Sequence, residues 1–372
     1  MKHGNQENNL TNKLSNKTEF FAVDYFRLIF SVCIVALHLR PLKDVNSVLN
    51  YFLTQVLTRL GVPFFFLVNG FFLQKKLDDS KKIKTYLGKL FRLYLVYTLL
   101  YLPQIVYGYI KGEEGFVHNV AVFIRDLIFV GSYTHLWYFV GLMVATLFLY
   151  LFVRKLKLSD KHIMAVVLVL YVIGTVMNAY IQPLIKNITV PVSELGTVDK
   201  QHLLLTLYFK VFSTTRNGLF FGLPYLFFGY LIAKNKKSVC RKNYFVMAIV
   251  SFIVMTGEAF IAHEVFGASG QDMLFALLPT SIFVFLFILY IDCKNNQRNA
   301  HIARHTRDIS VLYFGLHMFI SFYVSGILSK VFDIELHSTI RFVLVTILNY
   351  VAAEVIIRMS GIKHFEWLKN FY

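Results

Sequence analysis

The sequence predicts an all-α integral membrane protein of about ten transmembrane helices, both termini cytoplasmic, with a short re-entrant or interfacial helix near 116–131. Three observations predict this. Hydrophobic residues make up 56% of the 372 positions and the mean hydropathy is +0.57, where soluble domains average about 45–50% apolar. Apolar stretches recur at the length needed to cross about 30 Å of hydrocarbon. Lys and Arg gather in alternate loops, which fixes orientation.

Residues 1–20 (NQENN, TNKLSNK) are polar and read as a cytoplasmic tail. Ten spans follow, at 21–39, 51–73, 86–110, 135–153, 163–182, 218–233, 244–262, 273–291, 309–329 and 339–357. They form one membrane domain over 21–358, with 359–372 as a cytoplasmic C-terminal tail. No small-x-small cleavage site follows the first span, so it reads as a retained helix. The N-terminal tail, 74–85, 154–162, 234–243, 293–308 and the C-terminal tail from Arg358 hold 24 Lys and Arg. The alternate segments 40–50, 111–134, 183–217, 263–272 and 330–338 hold 9. That bias places both termini inside. Five more cations, Arg27, Arg59, Lys89, Arg92 and Arg341, fall within spans. The stretch 116–131 is apolar but short and contains Arg125 and Asp126; a crossing there would invert every later loop and erase the bias. Residues 183–217, with Pro183 and Pro191, read as a small outer cap.

The net charge of +17 lies mainly in short loops between spans rather than in a basic groove, which argues against a nucleic-acid partner. Cys33, Cys240 and Cys293 have no metal-ligand spacing and no disulfide framework. There is no phosphate-loop signature, no H-E-x-x-H and no G-x-S-x-G, and no internal repeat of the kind many transporters carry. No bound cofactor or metal is expected.

Within the first span, Val23–Pro41 (VDYFRLIFSVCIVALHLRP) carries Asp24, Arg27 and His38. Eleven residues separate Arg27 from His38, which is three turns plus roughly 20°, or about 16 Å along one stripe. Asp24 and Ser31 share that stripe by i, i+3/i+4 spacing. Charged groups in hydrocarbon face a protein interior or a wet cavity rather than lipid. His38, near the outer end, suits a general base or an acyl carrier. A buried histidine satisfied by a neighbouring helix and a structural Asp24–Arg27 ion pair are the alternatives.

Lys89 and Arg92, in KLFR, open the third span and could hold a donor's phosphates or snorkel to lipid headgroups. His135 and Trp137 (THLWYF) begin the fourth span, and Arg216 and Asn217 (STTRNGLFFG) enter the sixth. All four lie at the level of His38, giving a candidate outer polar site that the aromatic belt also partly explains. Asn69, Glu258, His317 and Glu354 are further polar groups in spans that could hold helices together.

The chain resembles the integral-membrane acyltransferase family 3. Arg27-x10-His38 fits that family's first-span pattern, and DYFRLIFSVCIVALH, VPFFFLVNGFFL, HLWYF and RDISVLYFGLHMF follow in its order. The resemblance implies ten membrane helices, an acyl-CoA co-substrate on the cytoplasmic side, an essential His38, and acyl transfer to an extracytoplasmic hydroxyl. The family's Arg-x-x-Arg stands here as Lys89-x-x-Arg92, which loses one fork-shaped guanidinium. Its small-Gly pair stands as Asn69-Gly70. TRNGLFFG with DYFRLI is most similar to the membrane part of VanT-type serine racemases of glycopeptide-resistance clusters. That likeness implies L-serine supply, and 372 residues leave no room for a racemase barrel, so a separate cytoplasmic racemase is the expected partner.

Two functions follow, in a multi-pass protein of the bacterial cytoplasmic membrane. In one, His38 acts as base or acyl carrier, Asp24 orients Arg27, and Arg27, Lys89 and Arg92 hold acyl-CoA. In the other, the same groups pass a small zwitterion such as L-serine, with Arg27 or Arg216 on its carboxylate and Asp24 or Glu258 on its ammonium.

Overall fold

A computed structural model of the chain describes residues 20–112, 114–181, 200–235, 241–267 and 272–372. Residues 1–19 of the N-terminal tail, Cys240 and the part 183–199 of the expected outer cap lie outside the described residues. Among the described residues every regular element is a helix. Eight are long and apolar enough to cross a membrane: α1 (Phe21–Leu39), α2 (Ser47–Leu73), α3 (Ser80–Lys111), α5 (Trp137–Lys155), α6 (Asp160–Ile181), α9 (from Asn243 to Phe266), α11 (Gln297–Phe332) and α12 (Ser338–Ser360). The other expected spans are shorter helices, α8 (Leu223–Asn235), which continues the π-turn Gly218–Gly222, and α10 (Leu277–Leu289). Two more helices, α4 (Phe116–Arg125) and α7 (Lys200–Phe212), complete the set.

Local chemistry explains the departures from the expected bounds. α11 begins twelve residues before the expected span because Asn296 caps it, accepting from the Asn299 amide at 2.7 Å. Its 36 residues reach about 54 Å, well beyond a hydrocarbon core. Within α2, Pro63 has no N–H for the Arg59 carbonyl, and the helix passes through π and 3-10 turns over Phe52–Leu60. α4 and the π-turn Asp126–Val130 end at Gly131, whose φ of 105° suits only glycine. Together they span about 22 Å, too short for a crossing. The C-terminal tail carries a 3-10 helix, Lys363–Phe371, with Leu368 buried.

The chain packs as two compact units, a terminal unit (1–75, 228–256, 276–372) and a central unit (76–227, 257–275). In the terminal unit α1 packs most extensively on α11, and α11 on α12. Phe64 is central to its aromatic core, with ring centroids 4.5 Å from Phe30 and 6.0 Å from Phe285. Each such pair contributes about 0.5–1.5 kcal/mol beyond its area. Gly229 lies so close to α2 that a Cβ would overlap the Leu67 carbonyl. Small residues of this kind let backbones approach where lipid removes the hydrophobic drive between helices. In the central unit hydroxyls perform the same task. Tyr94 donates to the Leu127 carbonyl at 2.8 Å and accepts from the Ser132 amide at 2.9 Å. Tyr171 donates to the Leu274 carbonyl at 2.7 Å and so accepts from Tyr225 at 2.8 Å.

Candidate functional site

The polar stripe of α1 is real and faces α11. Arg27 pairs with Asp24 at 3.1 Å, their side chains 16% and 14% exposed, and its guanidinium lies 5.6 Å over the Phe72 ring. Ser31, fully buried, shares its hydroxyl proton between the Arg27 carbonyl one turn back (2.9 Å) and the Ser310 carbonyl on α11 (3.0 Å). Two turns further on, the half-buried His38 meets His317 of α11, ring centroids 5.2 Å apart. His317 is fully buried, and its Nδ1–H donates to the Phe314 carbonyl at 2.8 Å. Beyond His38 the helix stops at Arg40, which turns left-handed (φ 50°), and Arg341 of α12 donates to the Leu39 carbonyl at 3.3 Å.

Sequence reasoning missed part of what surrounds the Asp24 end. Asp308 feels the charges of Arg307, His305, Asp24 and Arg27. His305 reaches Glu354 of α12 at 2.8 Å, and Tyr350 donates to the same carboxylate at 3.0 Å. The expected span began at 309 and left 305 and 308 in a loop. The signal was available: Ala303, Thr306, Ile309, Ser310 and Tyr313, all buried, continue the helical period upstream of 309.

The remaining predicted residues belong to the central unit. Lys89 and Arg92 are exposed and share one face of α3. Half-buried Lys76 stands beside them in charge, its pKa lowered first by burial and then by Lys89; its ammonium lies 5.0 Å over the Tyr86 ring. His135 sits in the turn before α5, 1% exposed, edge-on to Tyr101 at 5.0 Å and to Tyr133 at 5.9 Å.

Trp137, Arg216 and Asn217 line one cavity of about 280 Å³ with Tyr208, Thr214 and Phe220. Arg216 stacks on Trp137 at 4.9 Å and pairs with Asp272 at 2.9 Å. Asn217 caps the π-turn, accepting from the Leu219 and Phe220 amides at 3.0 and 3.2 Å and donating to Tyr208 at 2.9 Å. Burial pushes the Tyr208 phenol up to about 12, so it stays protonated. Asp272 escaped the sequence reading, although it is the acid that directly precedes the eighth expected span. Glu258 is engaged elsewhere, accepting from Tyr180 at 2.7 Å and from the Phe275 amide at 2.6 Å. Trp137, Arg216 and Asn217 thus share one cavity, His135 occupies its own aromatic niche, and His38 belongs to the other unit.

An all-helical chain with this many apolar crossings and a buried polar stripe is a multi-pass membrane protein. It belongs to the acyltransferase-domain family, which matches residues 20–358. Among curated proteins it is similar to an amino-acid racemase of Enterococcus faecalis, 26% identical over 348 residues, covering 91% of this chain and 46% of the relative. A second amino-acid racemase of that organism is 28% identical over 287 residues, covering 77% of this chain and 38% of the relative. A serine/alanine racemase of Enterococcus gallinarum is 25% identical over 337 residues, covering 88% and 44%. The chain spans under half the length of these relatives. No solved structure matches it.

Proposed function

We propose that the protein moves an acetyl-type acyl group from acyl-CoA on the cytoplasmic side of a bacterial membrane to a hydroxyl acceptor of the cell envelope on the outer side. The observation that carries this reading is the α1 stripe, in which Asp24, Arg27, Ser31 and His38 follow one another along one face of the helix, Ser31 and His38 meeting α11. With both termini inside, the Asp24 end of α1 faces the cytoplasm and His38 lies near the outer surface. His38 takes the acceptor's O–H proton while that oxygen attacks the thioester carbonyl; the departing thiolate then recovers the proton from His38. Arg27, held by Asp24, keeps a fixed positive charge on this face. Lys89 and Arg92 offer two cations to the donor's phosphates, Arg92 by a bidentate fork and Lys89 as a point charge. The test is purified protein given radiolabelled acetyl-CoA. Wild type is expected to hydrolyse it or become labelled, and His38→Ala to lower turnover by at least about 100-fold. A wild-type protein inert to acyl-CoA overturns the reading.

A second reading is favoured by the cavity in the central unit. Arg216, a planar carboxylate receptor, stands on its wall with Asp272 as a paired acid, the charges a small zwitterion would exchange. With relatives named as amino-acid and serine/alanine racemases, the protein would supply L-serine to a cytoplasmic racemase in glycopeptide (vancomycin) resistance. Uptake of labelled L-serine into vesicles, lost in Arg216→Ala, tests it; uptake equal to that of empty vesicles dismisses it.

A further inference from the structure

The C-terminal segment does not trail away from the bundle. α12 ends at Ser360, where the amides of Gly361 and Ile362 turn back on the Arg358 and Met359 carbonyls at 3.2 and 2.9 Å. The 3-10 helix Lys363–Phe371 then packs on α12 and reaches α11. The hydroxyls of Ser360 and Tyr372 meet at 2.7 Å, which ties the far end of this helix to the foot of α12. With three residues per turn, side chains three apart lie over one another. One face therefore carries Ile362, Phe365, Leu368 and Phe371, and another carries Lys363, Glu366 and Lys369. Leu368 seals the apolar face on the bundle, 7% exposed. The beginning of that face is open, with Ile362 52% and Phe365 37% exposed, and Trp367 on the adjoining face is 57% exposed.

We propose that this foot is a docking surface for an anionic lipid leaflet, the one at which α12 ends. Two observations select lipid as its occupant. First, only Gly361 and Ile362 separate the foot from a helix long and apolar enough to cross a membrane, so its open apolar side lies where hydrocarbon gives way to water. Tryptophan is enriched at that boundary, its ring among the headgroups. Second, the charged face bears two cations and one acid, all exposed. Arg358, which pairs with Glu354 at 3.6 Å but keeps its side chain 82% exposed, adds a third cation at the end of α12. A helix with apolar side chains on one side and lysines on another lies in the plane of the interface, its apolar groups about 5–10 Å into the boundary between headgroups and chains. Lys363 and Lys369 then meet lipid phosphates through charge-assisted hydrogen bonds. In the topology with both termini inside, this leaflet is the cytoplasmic one. The docking uses neither His38 nor the Arg216 cavity, so it stands apart from both readings of function.

The chain has two tryptophans, and Trp137→Phe leaves Trp367 as the fluorescent reporter. Should that variant fail to elute as a single species on size exclusion, the difference between wild type and Trp367→Phe gives the same signal. The full chain is placed in nanodiscs of phosphatidylcholine and phosphatidylglycerol in equal parts, with bromine on the upper acyl chains of one lipid or of the other. Bromine quenches tryptophan only at near contact. Relative to unbrominated discs, Trp367 emission is expected to fall about twofold or more with brominated phosphatidylglycerol, and by less with brominated phosphatidylcholine. In the double variant Lys363→Gln, Lys369→Gln the two labels should quench equally. Full quenching by aqueous iodide with no effect of bromine puts Trp367 in water and overturns the proposal. Protection from iodide with no effect of bromine means that protein, a second copy of the chain included, covers the foot, and overturns it as well. Equal quenching by the two labels in the unaltered foot removes the anionic preference and overturns it too.

Discussion

The two units use polar groups in opposite ways. The terminal unit concentrates them along one seam between α1 and α11, where an ion pair, a shared hydroxyl and two imidazoles follow each other at helical spacing. The central unit gathers its polar groups around an interrupted element, the π-turn at Gly218–Gly222, beside an apolar cavity with an Arg–Asp pair. A seam of titratable groups suits proton transfer; a cavity with one fixed pair suits recognition of charge. The same fold thereby holds the elements of both candidate functions, and variants that separate the units separate the functions.

The largest effect expected is from His38→Ala against Arg216→Ala. The first should remove acyl-CoA turnover by at least about 100-fold and leave any serine uptake untouched. The second should do the reverse, and equal losses in both assays for both variants would break the division of labour. Next comes the ion pair. Arg27→Gln strands Asp24 in a site only 14% exposed and should cost about 1–3 kcal/mol in detergent stability, most of which the added Asp24→Asn should restore. Full recovery of activity in that double variant would show the pair to be structural alone.

Close packing offers a third contrast. At Gly218 a Cβ would meet the Gly141 carbonyl and the Val144 side chain, and at Gly229 the Leu67 carbonyl. Gly229→Ala, against backbone alone, should lower the melting temperature of the whole chain, by about 1–3 kcal/mol in stability terms. Gly218→Ala should act chiefly on the Arg216 cavity and show first as lost ligand protection. The smallest effect concerns Asp44, whose carboxylate accepts from the Ser338 amide at the start of α12. Hydrogen bonding from Ser338, first through its amide, holds the Asp44 pKa below the ordinary 3.8. The contribution is therefore complete above that value and fades as pH falls through the lowered one. Asp44→Ala should flatten acid-induced loss of structure below about pH 4, as read by circular dichroism across a pH series.

What was legible in the sequence was what a single helix specifies. Asp24, Arg27, Ser31 and His38 fall on one face by the 3.6-residue period alone, and the cost of charge in lipid says that face is covered. The identity of the cover was not legible, because His317 and Ser310 are distant in sequence and one-helix spacing does not say which helix packs opposite. The spans were readable from apolar length, except where a cap outruns hydropathy, as Asn296 does for α11. Asp272 stayed hidden for a related reason: a lone acid in a loop has no period to betray its partner. Asn217 shows the converse, since its N-cap position before GLFFG is a local signal, whereas its bond to Tyr208 is not.

The most direct measurement of the central claim is sided. In proteoliposomes of defined orientation, acetyl-CoA is supplied only on the face bearing the Lys-rich loop between α2 and α3, and acetylated acceptor is sought on the opposite face. The predicted result is acetyl transfer across the bilayer in wild type and none in His38→Ala. Intact acetyl-CoA on its own side, with L-serine accumulating across the same membrane, would contradict it.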